Sequence, residues 1–75
     1  MVIDMVVTNE IDGFNAEVPS LKGCESWAHN EDEAIANIVE LTKYYINLDN
    51  EIEVKVDLAR RSGKKKIYKL VFDKE

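Results

Sequence analysis

The stretch GFNAEVPSLKGCESWAHNEDEA, residues 13–34, decides the fold of this chain, because a strand, a turn, a second strand and a helix start follow one another within it. Phe14, Ala16 and Val18 alternate with Asn15 and Glu17, the period-2 pattern of a strand with one buried face. Pro19 has no N–H to give to a ladder, and Gly23 opens backbone conformations closed to other residues. The strand therefore ends near Val18 and the chain turns before Cys24. Cys24 to Ala28 reads as another short strand. Asn30 is a strong N-cap with Glu33 three residues on, where a reciprocal capping pair forms, and Glu31, Asp32 and Glu33 set negative charge against the positive end of the helix dipole.

Upstream, Val2 to Thr8 is rich in β-formers, with Ile3, Met5 and Val7 on one side; Val2 and Val6 on the other give it the character of a central strand. Asp12 and Gly13 supply the turn that joins it to Phe14–Val18 as a hairpin. Downstream, at about 100° per residue, Ala34, Ile35, Ile38, Val39, Leu41, Thr42, Tyr45 and Ile46 fall in one arc of roughly 160°. The helix is expected from Asn30 to Ile46, ended by Asn47, Asp49 and Asn50. Ile52, Val54, Val56 and Leu58 then alternate with Glu51, Glu53, Lys55 and Asp57, the clearest strand in the chain. Ser62 and Gly63 mark a turn within a flexible stretch from Arg60 to Lys65, and Ile67 to Phe72 form a fifth strand with Tyr68, Leu70 and Phe72 on one side.

These elements predict an α/β (α+β) two-layer sandwich in the order β-β-β-α-β-β, one helix on a four- or five-stranded, mostly antiparallel sheet. Phe14, Ala16, Val18, Ile35, Ile38, Leu41, Tyr45, Val54 and Val56 are expected in the core. A right-handed crossover that returns strand four beside strand one gives the sheet order 3, 2, 1, 4, 5, with strand five at an edge open to a second copy. Residues 1–75 form a single domain.

A domain of 75 residues buries only about 60% of the surface that its unfolded chain exposes, so assembly, most simply a homodimer, is expected. The single cysteine excludes an internal disulfide and fits a cytoplasmic protein. Met1 to Val7 is too short an apolar run to span a bilayer, and Asp4 interrupts it, so no membrane role is expected. The net charge of −5 is unevenly spread: up to residue 54 the only basic residues are Lys22 and Lys43. Arg60, Arg61, Lys64, Lys65 and Lys66 cluster late, a candidate nucleic-acid contact with Tyr68 as a stacking neighbour, set against the plainer reading of a solvated turn. The acidic body itself repels nucleic acid and suits a basic protein partner.

Nothing in the residues calls for catalysis. Glu31, Asp32 and Glu33 are explained by the helix dipole, and Asp4 and Glu17, on neighbouring strands, lack the third acid of a two-metal nuclease site. His29 has no ligand or triad partner at a meaningful spacing, and Cys24 has no histidine to lower its pKa. The glycines stand alone at positions 13, 23 and 63, which excludes a phosphate loop. No catalytic, metal-ligating or cofactor-binding residue is therefore expected, and the chain reads as a binding module. Glu25 and Trp27 share one side of the third strand, and the helix covers only one face of the sheet. Trp27 either stands exposed on the other face, or covers the sheet or packs under the Pro19 to Gly23 loop. Glu25, Trp27, Glu31 and Asp32 form the candidate partner-binding set.

One family resemblance is carried by Phe14, Val18, Pro19, Leu21, Gly23, Cys24, Ser26, Glu33 and Ala34. This order, an aromatic strand into Val-Pro, a Leu, Gly-Cys, a short polar strand and an acidic helix start with an Ala, resembles the core of HicB-type antitoxin domains. Lys22 stands where a Pro often precedes the Gly-Cys pair, and Ala28 where a Gly is frequent. The resemblance implies a fold likened to a truncated ribonuclease H core, and a non-enzymatic domain that covers a small basic HicA-type toxin, which cleaves messenger RNA. Such antitoxins commonly carry a separate C-terminal DNA-binding domain. Here only a strand hairpin is expected beyond the helix, so a stand-alone domain is expected and operator binding is not carried over. The alternatives are a nucleic-acid-associated module using the basic hairpin, or an orphan dimeric scaffold.

Overall fold

The computed structural model describes residues 1–49 and 51–73. Five strands and one helix follow in the order β1 (Val2–Glu10), β2 (Gly13–Glu17), β3 (Glu25–Ala28), α1 (Glu31–Tyr45), β4 (Lys55–Ser62) and β5 (Lys65–Val71). The strands form one antiparallel sheet, β3-β2-β1-β5-β4, and α1 packs across β1, β2 and β3 on one face. This is the expected β-β-β-α-β-β two-layer arrangement.

Register explains the core. β1 pairs Val7 with Ala16 on one side, and Met5 with Tyr68 and Ile3 with Leu70 on the other. Alternation turns this whole row toward α1, where it meets the buried Ala34 and Ile38. Each fully buried large side chain, such as Ile38 or Leu70, contributes about 1.5–3 kcal/mol. Thr42 is buried in the same layer at no polar cost, because its hydroxyl donates to the Ile38 carbonyl at 2.7 Å and lies 3.7 Å from Cys24 Sγ.

Both helix ends are chemically closed. The Asn30 side chain accepts from the Glu33 N–H at 2.8 Å, and its amide donates to the Glu33 carboxylate at 3.1 Å. At the other end Asn47 takes a left-handed φ of 56°, Leu48 N–H returns to the Lys43 carbonyl at 2.8 Å and Asn47 N–H to the Tyr44 carbonyl at 3.2 Å. This is a Schellman closure, and it buries Leu48 against the core. Asp49 caps the turn that follows, and Asn50 lies outside the described residues.

Several expectations need correction. β5, not β4, lies beside β1, and β4 forms the edge. β5 is apolar on both sides, Tyr68, Leu70 and Phe72 against Ile67 and Val71, which suits an inner strand covered by its neighbours in the sheet rather than an edge waiting for a second copy. Placing β5 beside β1 also keeps every pair antiparallel. β4 starts at Lys55 rather than Ile52, since the Asp49 turn closes on Ile52 and the ladder with β5 begins only at Lys55 opposite Val71. Arg60–Ser62 belong to the β4 ladder, not to a flexible stretch, because the turn is confined to Gly63 and Lys64. Tyr45 is 42% exposed rather than core, because it marks the edge of the helix face and lies over Gly23. Phe14, Ile35, Leu41, Val54 and Val56 are half-buried against the core, while Ala16, Val18 and Ile38 are fully buried in it.

Candidate functional site

The segment that resembles a known family builds a double turn. Leu21 N–H donates to the Val18 carbonyl at 3.0 Å, closing a turn with Pro19 at the position where its fixed φ is favoured. Cys24 N–H donates to the Leu21 carbonyl at 3.0 Å, closing a second turn with Gly23 at φ 81°. Val18 N–H donates to the Cys24 carbonyl at 2.9 Å across the neck. That neck fixes the β2–β3 register: Glu17 opposite Glu25, Ala16 opposite Ser26, and Asn15 opposite Trp27. Cys24 itself is buried in the core.

Glu17, Glu25 and Trp27 all project from the face that α1 leaves open. Directly opposed residues of this kind hold their Cβ atoms about 4.5–5.5 Å apart, and like charges there are destabilising. Glu17 thus joins Glu25 and Trp27 on this face, although it lies outside the set expected from the sequence. The signal was available, since a turn necked at Val18 and Cys24 forces Glu17 against Glu25. Trp27 is 43% exposed, yet it is also structural. A Cβ built on Gly13 would come within 2.3 Å of its Cζ2 atom, so the indole packs directly against the glycine backbone. The His29 ring meets Trp27 edge-on at 4.8 Å between centroids. Trp27 thus covers the sheet at Gly13 while part of the indole stays in solvent.

Glu31 is placed elsewhere, on the helix side. Its carboxylate accepts from Lys66 Nζ at 2.8 Å and from the Tyr68 hydroxyl. These two bonds, Lys66 first, hold the carboxyl below its ordinary range, and burial followed by the bond to Glu31 pushes the Tyr68 hydroxyl up to about 12. Glu31 is therefore engaged within the molecule, whereas Asp32 is exposed beside it. The expected acidic set is split between two faces, with Glu25 and Trp27 on one and Glu31 on the other.

The basic set is split as well. Arg61 and Lys66 stand opposite each other on the helix side and, with Lys64 and Glu31, line a cleft of about 270 Å³ that also touches Phe14 and Val7. Arg60, opposite Ile67, and Lys65 belong to the other face. Tyr68 is buried with its hydroxyl on Glu31, so the expected stacking role is corrected: its ring is not available to a base.

Among the described residues no helix is long and apolar enough to cross a membrane. No protein-family model and no solved structure matches the chain. A UPF0150 protein of Helicobacter pylori (strain J99 / ATCC 700824) is 39% identical over 63 residues, covering 84% of this chain and 86% of that protein. The chain belongs to the UPF0150 family.

Proposed function

We propose that this chain is a non-enzymatic, HicB-like protein-binding domain whose open sheet face takes a small basic protein, in the manner of an antitoxin covering a HicA-type toxin. The observation that carries the reading is the Glu17–Glu25 pair beside half-exposed Trp27. Two carboxylates held opposite each other cost the free protein stability, and a cation from a partner relieves that cost. An amphipathic Trp next to such a pair is the usual anchor of a protein interface. The net charge of −5 adds long-range attraction for a basic partner. The test is co-purification with the product of the neighbouring open reading frame, followed by growth rescue when that product is toxic. Rescue that survives Glu17→Lys together with Glu25→Lys, in a folded variant, refutes the reading.

A second reading, nucleic-acid association through the hairpin end, is favoured by the cleft that collects Arg61, Lys64 and Lys66. Glu31 sits in the same cleft and neutralises part of that charge. Salt-dependent RNA or DNA binding lost on Arg61→Ala and Lys64→Ala selects this reading over the first.

A further inference from the structure

Asp4 of β1, Lys69 of β5 and Asp57 of β4 stand opposite one another across three adjacent strands. They form a ladder of alternating charge on the face away from α1, and Lys69 Nζ is bonded to the Asp4 carboxylate. Among the described residues no cation lies within ion-pair distance of Asp57. Since β4 is an edge strand, the ladder ends in a carboxylate at the sheet boundary. The other face of the same edge is apolar. α1 packs over β1, β2 and β3, which leaves Leu58 44% exposed and Val54 and Val56 half-buried.

We propose that a second copy of this chain occupies this edge, with β4 pairing antiparallel to β4 across a two-fold axis through Val56. The pleat restricts the choice, because directly opposed residues must point to the same face, so the axis passes through a residue. An axis at Lys55 or Asp57 sets like charges against each other. An axis at Leu58 runs the pairing into the register shift between Leu58 and Arg60, where the ladder is broken in both copies. The Val56 axis alone sets Lys55 of each copy against Asp57 of the other, Val56 against Val56, and Leu58 against Val54. The ladder then continues as Asp4, Lys69, Asp57 and a lysine of the second copy, and the two apolar rows lie side by side, each packing against the other along the seam. The product is a ten-stranded sheet with both helices on one face. The pairing leaves β3, with Glu25 and Trp27, free at the opposite edge, so it stands or falls independently of the proposed partner surface.

Sedimentation of the full chain over a wide concentration range tests the proposal, with far-ultraviolet circular dichroism confirming that each variant is folded. The wild-type chain is expected to dimerise, and Asp57→Lys to weaken association roughly tenfold or more by opposing lysines. The exchanged pair Lys55→Asp with Asp57→Lys should restore the dimer. Under mild oxidation Val56→Cys should crosslink, because the two Cα atoms lie about 4.5–5.5 Å apart in this register. Leu58→Cys should not, since its copies are about 14 Å apart. A wild-type chain that stays monomeric throughout overturns the proposal. So does association indifferent to Asp57→Lys, or crosslinking by Leu58→Cys in preference to Val56→Cys.

Discussion

Gly13→Ala is expected to lift Trp27 off the sheet, and the size of the effect follows from the packing. The added methyl would sit 2.3 Å from Trp27 Cζ2, 2.6 Å from Cε2 and 2.6 Å from the Ala28 carbonyl oxygen. The indole alone could swing away, but the carbonyl belongs to the backbone of β3, so relief requires the edge strand to shift as well. Overpacking of this kind costs about 1–3 kcal/mol. Against it stands a gain of about 0.4–1 kcal/mol from the stiffer unfolded chain. The net loss centres on about 1 kcal/mol and is at most about 2.6 kcal/mol, so at about 4–8 °C per kcal/mol the melting temperature falls by several degrees. The chain has one tryptophan, so its fluorescence reports the same event directly: emission shifts toward longer wavelength as the ring gains solvent. An unchanged melting temperature together with an unchanged emission maximum would show that the indole does not rest on Gly13.

Ile38→Ala empties the centre of the helix–sheet layer, where the side chain is fully buried, and should cost about 2–5 kcal/mol in chemical denaturation. Glu25→Gln should raise the stability of the free protein by about 0.2–1 kcal/mol while weakening binding to a basic partner; stability and affinity that fall together would deny that the Glu17 pair is held for binding. Trp27→Ala should weaken that binding by about 2 kcal/mol, measured by calorimetry. The Glu31 carboxyl is held below its ordinary value by Lys66 and Tyr68, so its stabilisation is present above that value and lost as pH falls through the folded one. Glu31→Gln should flatten this acid limb of the stability profile. Tyr68 behaves in the opposite sense: its raised value favours the folded state below its ordinary value, a contribution lost as pH rises through about 12.

The hairpin, the third strand and the helix were legible because each carries a local signal. Alternation over Phe14–Val18, the Pro19 and Gly23 turn chemistry and the Asn30 cap act within a few residues of where they are written. The sheet order was not legible from strand sequence alone, since neighbour choice depends on contacts between distant residues such as Ile3 and Leu70. The two-sided apolar character of β5 was the usable clue. The start of β4 was missed because Ile52 and Val54 continue the alternation, while the Asp49 turn holds Ile52 and the ladder with β5 begins only at Lys55. At the site, the exposure of Trp27 followed from its face. Its contact with Gly13 required a diagonal neighbour across two strands, and the capture of Glu31 by Lys66 and Tyr68 joined elements that share no local pattern.

Because α1 packs mainly over β1, β2 and β3, the terminal hairpin is joined to the rest by the β1–β5 seam, the Glu31 clasp and the burial of Tyr68, Leu70 and Phe72 in the shared core. The seam pairs Val2 with Val71, and the Met1 ammonium donates to the Phe72 carbonyl at 2.7 Å, so closing it draws together nearly the two ends of the chain. Each hairpin forms across a short loop, whereas the seam bears the entropy of a loop almost as long as the molecule. The seam is therefore the expected line of sub-global opening, which faster hydrogen exchange at the β1–β5 amides than at the β1–β2 amides would show. When it opens, the long central strand that was paired on both sides is left with a bare apolar edge. The resistance of this small domain to aggregation is set by how rarely that one seam unzips.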